Sequence, residues 1–173
     1  MNLIITCARH LEEETADELT DILDELGDSD VKISISSMSG ILTAETTLVP
    51  IEVVRKMKEM LLDEPWSIRY CLRVIPIQKF IETNVEEIEK TISSMLNQIQ
   101  ETDTYRISIE KRNSDISSKE IITKIADQIK NKVSLEFPDK IILIEILGSV
   151  TGISILKKSD ILSLEKTKRS MSE

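Results

Sequence analysis

The stretch from Tyr105 to Ala126, YRISIEKRNSDISSKEIITKIA, changes its period midway. Up to position 111 apolar and polar residues alternate. Tyr105, Ile107 and Ile109 fall on one side of an extended chain and Arg106, Ser108 and Glu110 on the other, which predicts a strand over 104–111 with one core face and one wet face. From Ser117 the spacing becomes helical: Ser117-x-x-Glu120 forms a capping box, and Ile121, Ile125, Ile129 and Val133 recur every fourth residue. Pro138-Asp139 then turns the chain into KIILIEIL at 140–147, a nearly unbroken apolar run that fits a strand covered on both faces. Gly148 to Gly152 leads into a last strand, GISILKK. Glu145 interrupts the apolar run, and because an isolated buried carboxylate is costly, burial beside a basic partner is expected.

Outward from this stretch, Thr83-x-x-Glu86 opens a helix with Val85, Ile88, Ile92, Met95, Leu96 and Ile99 on one side. The second half is therefore αβαββ, with a polar tail from about 165, carrying Lys166, Lys168 and Arg169, expected to fray. In the first half, residues 2–8 form a short strand. Residues 12–26 form a helix with Ala16, Leu19, Ile22, Leu23 and Leu26 on one face and Gly27 as C-cap. Strands at 31–36 and 41–47 flank the Ser39-Gly40 turn as a hairpin. Pro50 begins a helix lined by Ile51, Val54, Met57 and Leu61, Asp63-Glu64-Pro65 ends it, and 68–77 (IRYCLRVIPI) is the last strand. The order βαββαβ is the ferredoxin-like split βαβ arrangement. The fold class is thus α+β, with a ferredoxin-like domain at 1–78 and an αβαββ domain at 79–173.

Composition narrows the chemistry. With 173 residues, 40% hydrophobic and 31% charged, the chain fits a soluble globular protein. No apolar run approaches the ~20 residues of a membrane helix, and the start MNLIITCARH lacks a basic n-region and a small-residue cleavage site, so a cytoplasmic protein with no membrane partner is expected. Cys7 and Cys71 make neither a disulfide framework nor a metal knuckle, which implies a reducing compartment. Gly27, Gly40, Gly148 and Gly152 are isolated, whereas a P-loop or dinucleotide site needs clustered glycines, so no cofactor is expected. His10, the only histidine, has no Ser or Cys in a nucleophile motif, and Cys7-x-x-His10 lacks a second ligand pair for zinc. It reads as a strand-end residue beside a small buried thiol, and neither catalytic nor metal-binding residues are expected.

Residues 1–64 hold 15 acids and 5 bases, net −10; residues 65–173 hold 16 acids and 17 bases, net +1, together the overall −9. A local basic patch in the second half can still meet nucleic acid, which an acidic surface repels. The 12–26 helix carries Glu12, Glu13, Glu14, Asp17, Glu18, Asp21, Asp24 and Glu25, either a solvated face or a dock for a basic protein.

Cations mark where an anion would sit. Lys111-Arg112-Asn113-Ser114 leaves a strand and reaches a helix N-terminus, with Lys119 in that helix's first turn, so amides, the positive end of a helix dipole and three cations converge. Asp115 and Glu120 compete for the same donors. Exposed cations contribute little to stability, so replacing Lys111 and Arg112 by alanine is expected to leave folding intact. Arg69 and Arg73, roughly 13 Å apart on one face of the 68–77 strand at ~3.3 Å per residue, either follow a polynucleotide backbone or pair with acids of their own domain. Lys157 and Lys158 either protect an edge or contact phosphate. Lys79 joins these as a candidate RNA contact. Too few aromatics remain for stacking to be the main mode of recognition: Trp66, Phe80 and Phe137, with Tyr70 and Tyr105 on core faces.

Three segments, RYCLRVIPI (Arg69–Ile77), YRISIEKRNSDISSKEIITKIA and ILIEILGSVTGISILKK (Ile142–Lys158), together resemble THUMP-domain proteins of the tRNA-acetylation adaptor type, over essentially the whole chain. The resemblance implies a ferredoxin-like N-terminal domain before a THUMP domain that grips the acceptor 3′ end of tRNA. It implies an adaptor without chemistry of its own, assisting a separate RNA cytidine acetyltransferase that forms acetylcytidine in the D-arm of leucine and serine tRNAs. Arg69, Arg73, Lys111, Arg112, Asn113, Ser114 and the Gly152-Ile153-Ser154 strand are its family-like positions. The alternatives are an RNA-binding subunit for another tRNA-modifying enzyme, for methylation or thiolation, and a protein-interaction scaffold.

Overall fold

Short apolar strands need helices to cover them, and the chain supplies these in two separate packings. The computed structural model describes residues 1–172. One unit comprises Met1–Ile77 and the residues from Ser159 onward; the other is Gln78–Lys158.

The first unit begins with β1 (Leu3–Thr6), α1 (Glu12–Leu26), β2 (Lys32–Ile35), β3 (Ile41–Glu45), α2 (Pro50–Asp63) and β4 (Arg73–Pro76). β1 lies between β3 and β4, antiparallel to both, and β2 pairs with β3. Alternation sends Leu3, Ile5, Leu42, Ala44 and Val74 into one core with Leu19, Ile22 and Leu23 of α1 and Val53, Val54, Met57 and Leu61 of α2. Val53 takes the place expected of Ile51, which is exposed. Gly27 ends α1 at φ +111°, its N–H on the Asp24 carbonyl at 3.1 Å. At Gly40, φ is +76°, and a Cβ would stand 2.6 Å from the Cys7 carbonyl oxygen.

The second unit contains β5 (Lys79–Glu82), α3 (Val85–Met95), a short 3₁₀ turn at Leu96–Gln98, β6 (Tyr105–Arg112), α4 (Ser118–Ala126), β7 (Lys140–Leu147) and β8 (Val150–Leu156). Its sheet runs β5-β8-β7-β6, with β6 and β7 parallel and the other pairs antiparallel. β5 adds an edge strand ahead of the expected αβαββ series. Asn84, not Thr83, caps α3 by accepting the Glu87 N–H at 3.1 Å; Thr83 instead shares a hydroxyl hydrogen bond with Thr151 at 2.8 Å. Ser117 caps α4 as expected, accepting the Glu120 N–H at 3.1 Å. α4 stops at Ala126, short of the expected stripe, because Lys132 and Ser134 hydrogen-bond the backbone of Tyr105 and draw Val133 into a bridge beside β6. β7 is buried on both faces from Ile141 to Leu147, with Ile142, Ile144 and Ile146 in the core beneath α3 and α4.

After a turn at Lys158–Asp160 come β9 (Leu162–Ser163) and α5 (Leu164–Met171). The expected 79–173 domain with a frayed tail is corrected here: β9 pairs with β4, and Leu162 and Leu164 join the first unit's core. Two leucines in a polar tail suffice, because each buries an apolar side chain worth about 1.5–3 kcal/mol. Lys58 of α2 also donates to the Ser159 carbonyl. No helix of the described residues is long and apolar enough to cross a membrane.

Candidate nucleic-acid interface

The end of β6 brings the family-like polar residues together. Arg112 is its last residue, and its Nη1 stands 3.0 Å from Oε2 of Glu145 on neighbouring β7. Glu145 is 0% exposed, and the guanidinium supplies the basic partner that its place in an apolar strand requires. The Arg112 carbonyl also accepts the Gly148 N–H at 2.8 Å, so the β7–β8 turn rests on the end of β6. Asn113 follows at φ +54°, a left-handed conformation that asparagine tolerates better than most residues, and the chain reverses there. Ser114 steadies the return by accepting the Ile116 N–H at 3.3 Å. Lys111 donates from Nζ to the Ile116 carbonyl at 2.9 Å and remains exposed.

This geometry corrects one expectation. Arg112 is committed to a buried carboxylate although its side chain is partly exposed, so its removal is expected to disturb the fold. Lys111 and Lys119 are the exposed cations at this end of the sheet, with Lys119 in the first turn of α4, where amide groups lack intrahelical acceptors. Glu110, Asp115 and Glu120 are exposed close by in sequence, so this end of the sheet carries acids among its cations and no net positive patch.

The other candidates lie elsewhere. Lys79 is on β5, the opposite edge of the sheet from β6. Lys157 and Lys158 follow β8, whose end aligns with the start of β7 and so with the far end of the sheet from Arg112. Arg73 opens β4 in the first unit, opposite Thr6 and Ser163. Arg69 is not on a strand, which corrects the expected pairing of Arg69 and Arg73 on one strand face. The Glu18 carboxylate of α1 accepts the N–H groups of Arg69, Tyr70 and Cys71 at 2.8, 3.0 and 3.0 Å and holds that segment outside the ladder. The Arg69 guanidinium sits 6.0 Å from the Tyr70 ring centre.

Sequence reasoning missed Glu18 as an anchor, since one acid among eight on a helix carries no distinguishing signal. It also missed the hydrogen-bonded loop after α4, where Arg106 donates to the Leu135 carbonyl at 2.9 Å while Phe137 is left 82% exposed. Cys7 and Cys71 are buried free thiols. Burial pushes both up, Cys71 strongly with Glu18 adding to it, so neither is a ready thiolate. No group of three or more metal-ligating side chains occurs among the described residues.

Residues 82–156 match the family model of the THUMP domain. No curated protein matches the chain. Among solved structures it is similar to PH1313 from Pyrococcus horikoshii Ot3 (18% identity, TM-score 0.60, 91% of this chain and 55% of that one). It is also similar to TrmN from Thermus thermophilus (12%, 0.62, 89% and 44%) and to a 4-thiouridine synthetase in complex with RNA and ATP (11%, 0.54, 94% and 42%). The chain thus spans about half the length of these proteins, and at such identities the likeness shows the shared fold.

Proposed function

We propose that this chain, with a THUMP domain over residues 82–156, binds tRNA through its acceptor 3′ end and presents it to a separate RNA cytidine acetyltransferase that forms acetylcytidine in the D-arm, performing no chemistry itself. The observation that carries the reading is the THUMP match, with a fold shared with a synthetase solved on RNA. Lys111 and Lys119 contact the RNA backbone beside the first turn of α4, the fixed turn at Asn113 and Ser114 shapes the approach, and Arg112 with Glu145 holds that turn to the sheet. Binding is cytoplasmic, needs no cofactor, and weakens with salt as phosphate contacts release counterions.

A second reading, an RNA-binding subunit for a methylating or thiolating enzyme, is favoured by the kinds of protein that share the fold: a putative methyltransferase with bound SAH and the 4-thiouridine synthetase. Co-purification from the native cell separates the two. An acetyltransferase and tRNA carrying acetylcytidine support the first reading, and a methyltransferase or thiolation enzyme supports the second. Acetylated tRNA made by the pure chain with an acetyl donor and no partner overturns the adaptor role.

A further inference from the structure

The carboxyl-terminal halves of α1 and α2 enclose a groove that RNA binding leaves without a role. One part, about 370 Å³, is lined by Asp21, Ile22 and Glu25 of α1 and Met60 and Asp63 of α2, with Glu64 just beyond. A second part, about 400 Å³, continues past Glu25, Met60 and Asp63 to Glu59 and Leu26, with Lys56 as its one cation. The floor is apolar, since Ile22 is buried and Met60 half-buried. The rim is acidic: Asp21, Glu25, Glu59, Asp63 and Glu64 are exposed, and none forms an ion pair among the described residues.

Two features make this more than a solvated acidic face. First, neither α1 nor α2 has a base in its last turn, so Glu25, Asp63 and Glu64 sit at the negative ends of the two helix dipoles, where cations are the stabilising choice. Like charges repel each other and the dipoles, and a cationic guest would relieve both. Second, the same end of α2 exposes large apolar side chains, Leu62 at 63% and Trp66 at 69%, with Trp66 placed between the groove-lining Glu64 and Ser67. An exposed tryptophan beside a charged rim is the composition of a protein-binding hot spot, whereas an RNA backbone is repelled by the five carboxylates.

We infer that this groove docks a Lys/Arg-rich amphipathic helix of a partner protein, its apolar face on Met60 and the neighbouring Trp66 and its cations on the rim. From Glu18 to Glu25, α1 offers roughly 10 Å at ~1.5 Å per residue, enough for about two turns of a guest helix. The inference rests on the adaptor reading only in identifying the partner as the separate modification enzyme, whose RNA-binding role gives it a positive surface.

Trp66 is the only tryptophan, so its emission reports occupancy of the groove in the full-length protein. The probes are a Lys/Arg/Leu peptide of about four helical turns and a scrambled peptide of the same composition that cannot form an amphipathic face. The amphipathic peptide is expected to shift Trp66 emission to the blue and saturate at one per chain, with the scrambled one about tenfold weaker. Asp21→Asn/Glu25→Gln/Asp63→Asn should weaken peptide binding about tenfold, while Glu13→Gln/Asp17→Asn/Asp24→Asn, which removes equal charge from positions of α1 that do not line the groove, should change it by less than about threefold. Equal binding of the two peptides, equal effects of the two triple variants, or no binding of either peptide overturns the inference. Measuring tRNA binding on the same variants keeps the readings apart: a groove that fails with tRNA affinity intact sinks only the docking site, and tRNA affinity absent from the parent protein sinks only the adaptor reading.

Discussion

Both units pack helices against a β-sheet, yet the first carries 18 acidic and 10 basic residues and the second 13 and 12. Each also buries one carboxylate, and the two are satisfied differently. Asp28 in the first unit accepts from the Thr46 hydroxyl at 2.6 Å, the Thr47 N–H at 2.9 Å and the Asp30 N–H at 3.0 Å, all neutral donors. Glu145 in the second meets the Arg112 guanidinium at 3.0 Å. Neutral donors close a loop without using a cation, so the first unit keeps its acidic surface. In the second unit the ion pair ties a sheet position to the turn proposed to meet RNA, so the fold and the candidate interface share a residue.

The largest expected effect breaks that tie. Arg112→Ala removes the guanidinium that faces Glu145 and should lower stability by ~2–4 kcal/mol, somewhat below the usual range for a buried pair because Arg112 is partly exposed. Arg112→Met with Glu145→Leu should recover most of that loss, which urea unfolding would check. Equal instability of the single and double variants would mean that packing, and not the charge pair, matters there. In the first unit the comparable position is steric. Gly40→Ala combines a positive φ with a Cβ 2.6 Å from the Cys7 carbonyl and should cost ~2–3 kcal/mol.

Asp28 gives a smaller effect. Burial pushes its carboxyl up, but the hydrogen bonds from Thr46, Thr47 and Asp30 outweigh this and hold it below the ordinary aspartate value. Its contribution is therefore fully present above the unfolded value, about 3.9, and is lost as pH falls through the lower folded value. Acid titration should show the parent losing stability in that window and Asp28→Asn, weaker at neutral pH, losing less. Parallel curves for the two proteins would remove Asp28 from this account.

How legible all this was in the sequence depends on whether a local pattern or a distant partner decided each element. β7 and the caps at Gly27 and Ser117 were legible, because an unbroken apolar run, a glycine after a helical stripe and a capping box act within a few residues. The strand expected at 68–77 shortened to Arg73–Pro76 because Glu18, about fifty residues away, captures three backbone N–H groups. β5 and β9 escaped notice because four- and two-residue edge strands are defined by what they pair with. The need of Glu145 for a basic partner was legible in its apolar surroundings. That the partner would be Arg112, taken from the cations assigned to RNA, was a matter of the parallel β6–β7 register.

The smallest expected change is in salt dependence. Replacing Lys111 and Lys119 by alanine should flatten the slope of log K for tRNA against log salt by somewhat less than two, at ~0.7 per contact for single strands or ~0.9 for duplex, with folding intact. If Lys56→Ala on the acidic first unit flattens the slope as much per residue, attraction is diffuse.

The most direct measurement compares the affinity of the full chain for intact tRNA and for the same tRNA lacking its single-stranded 3′ end, at fixed salt. If the THUMP domain grips the acceptor end, trimming should weaken binding about tenfold or more, and the loss should shrink in the Lys111/Lys119 variant. Equal affinity for the two RNAs would contradict acceptor-end recognition by this chain.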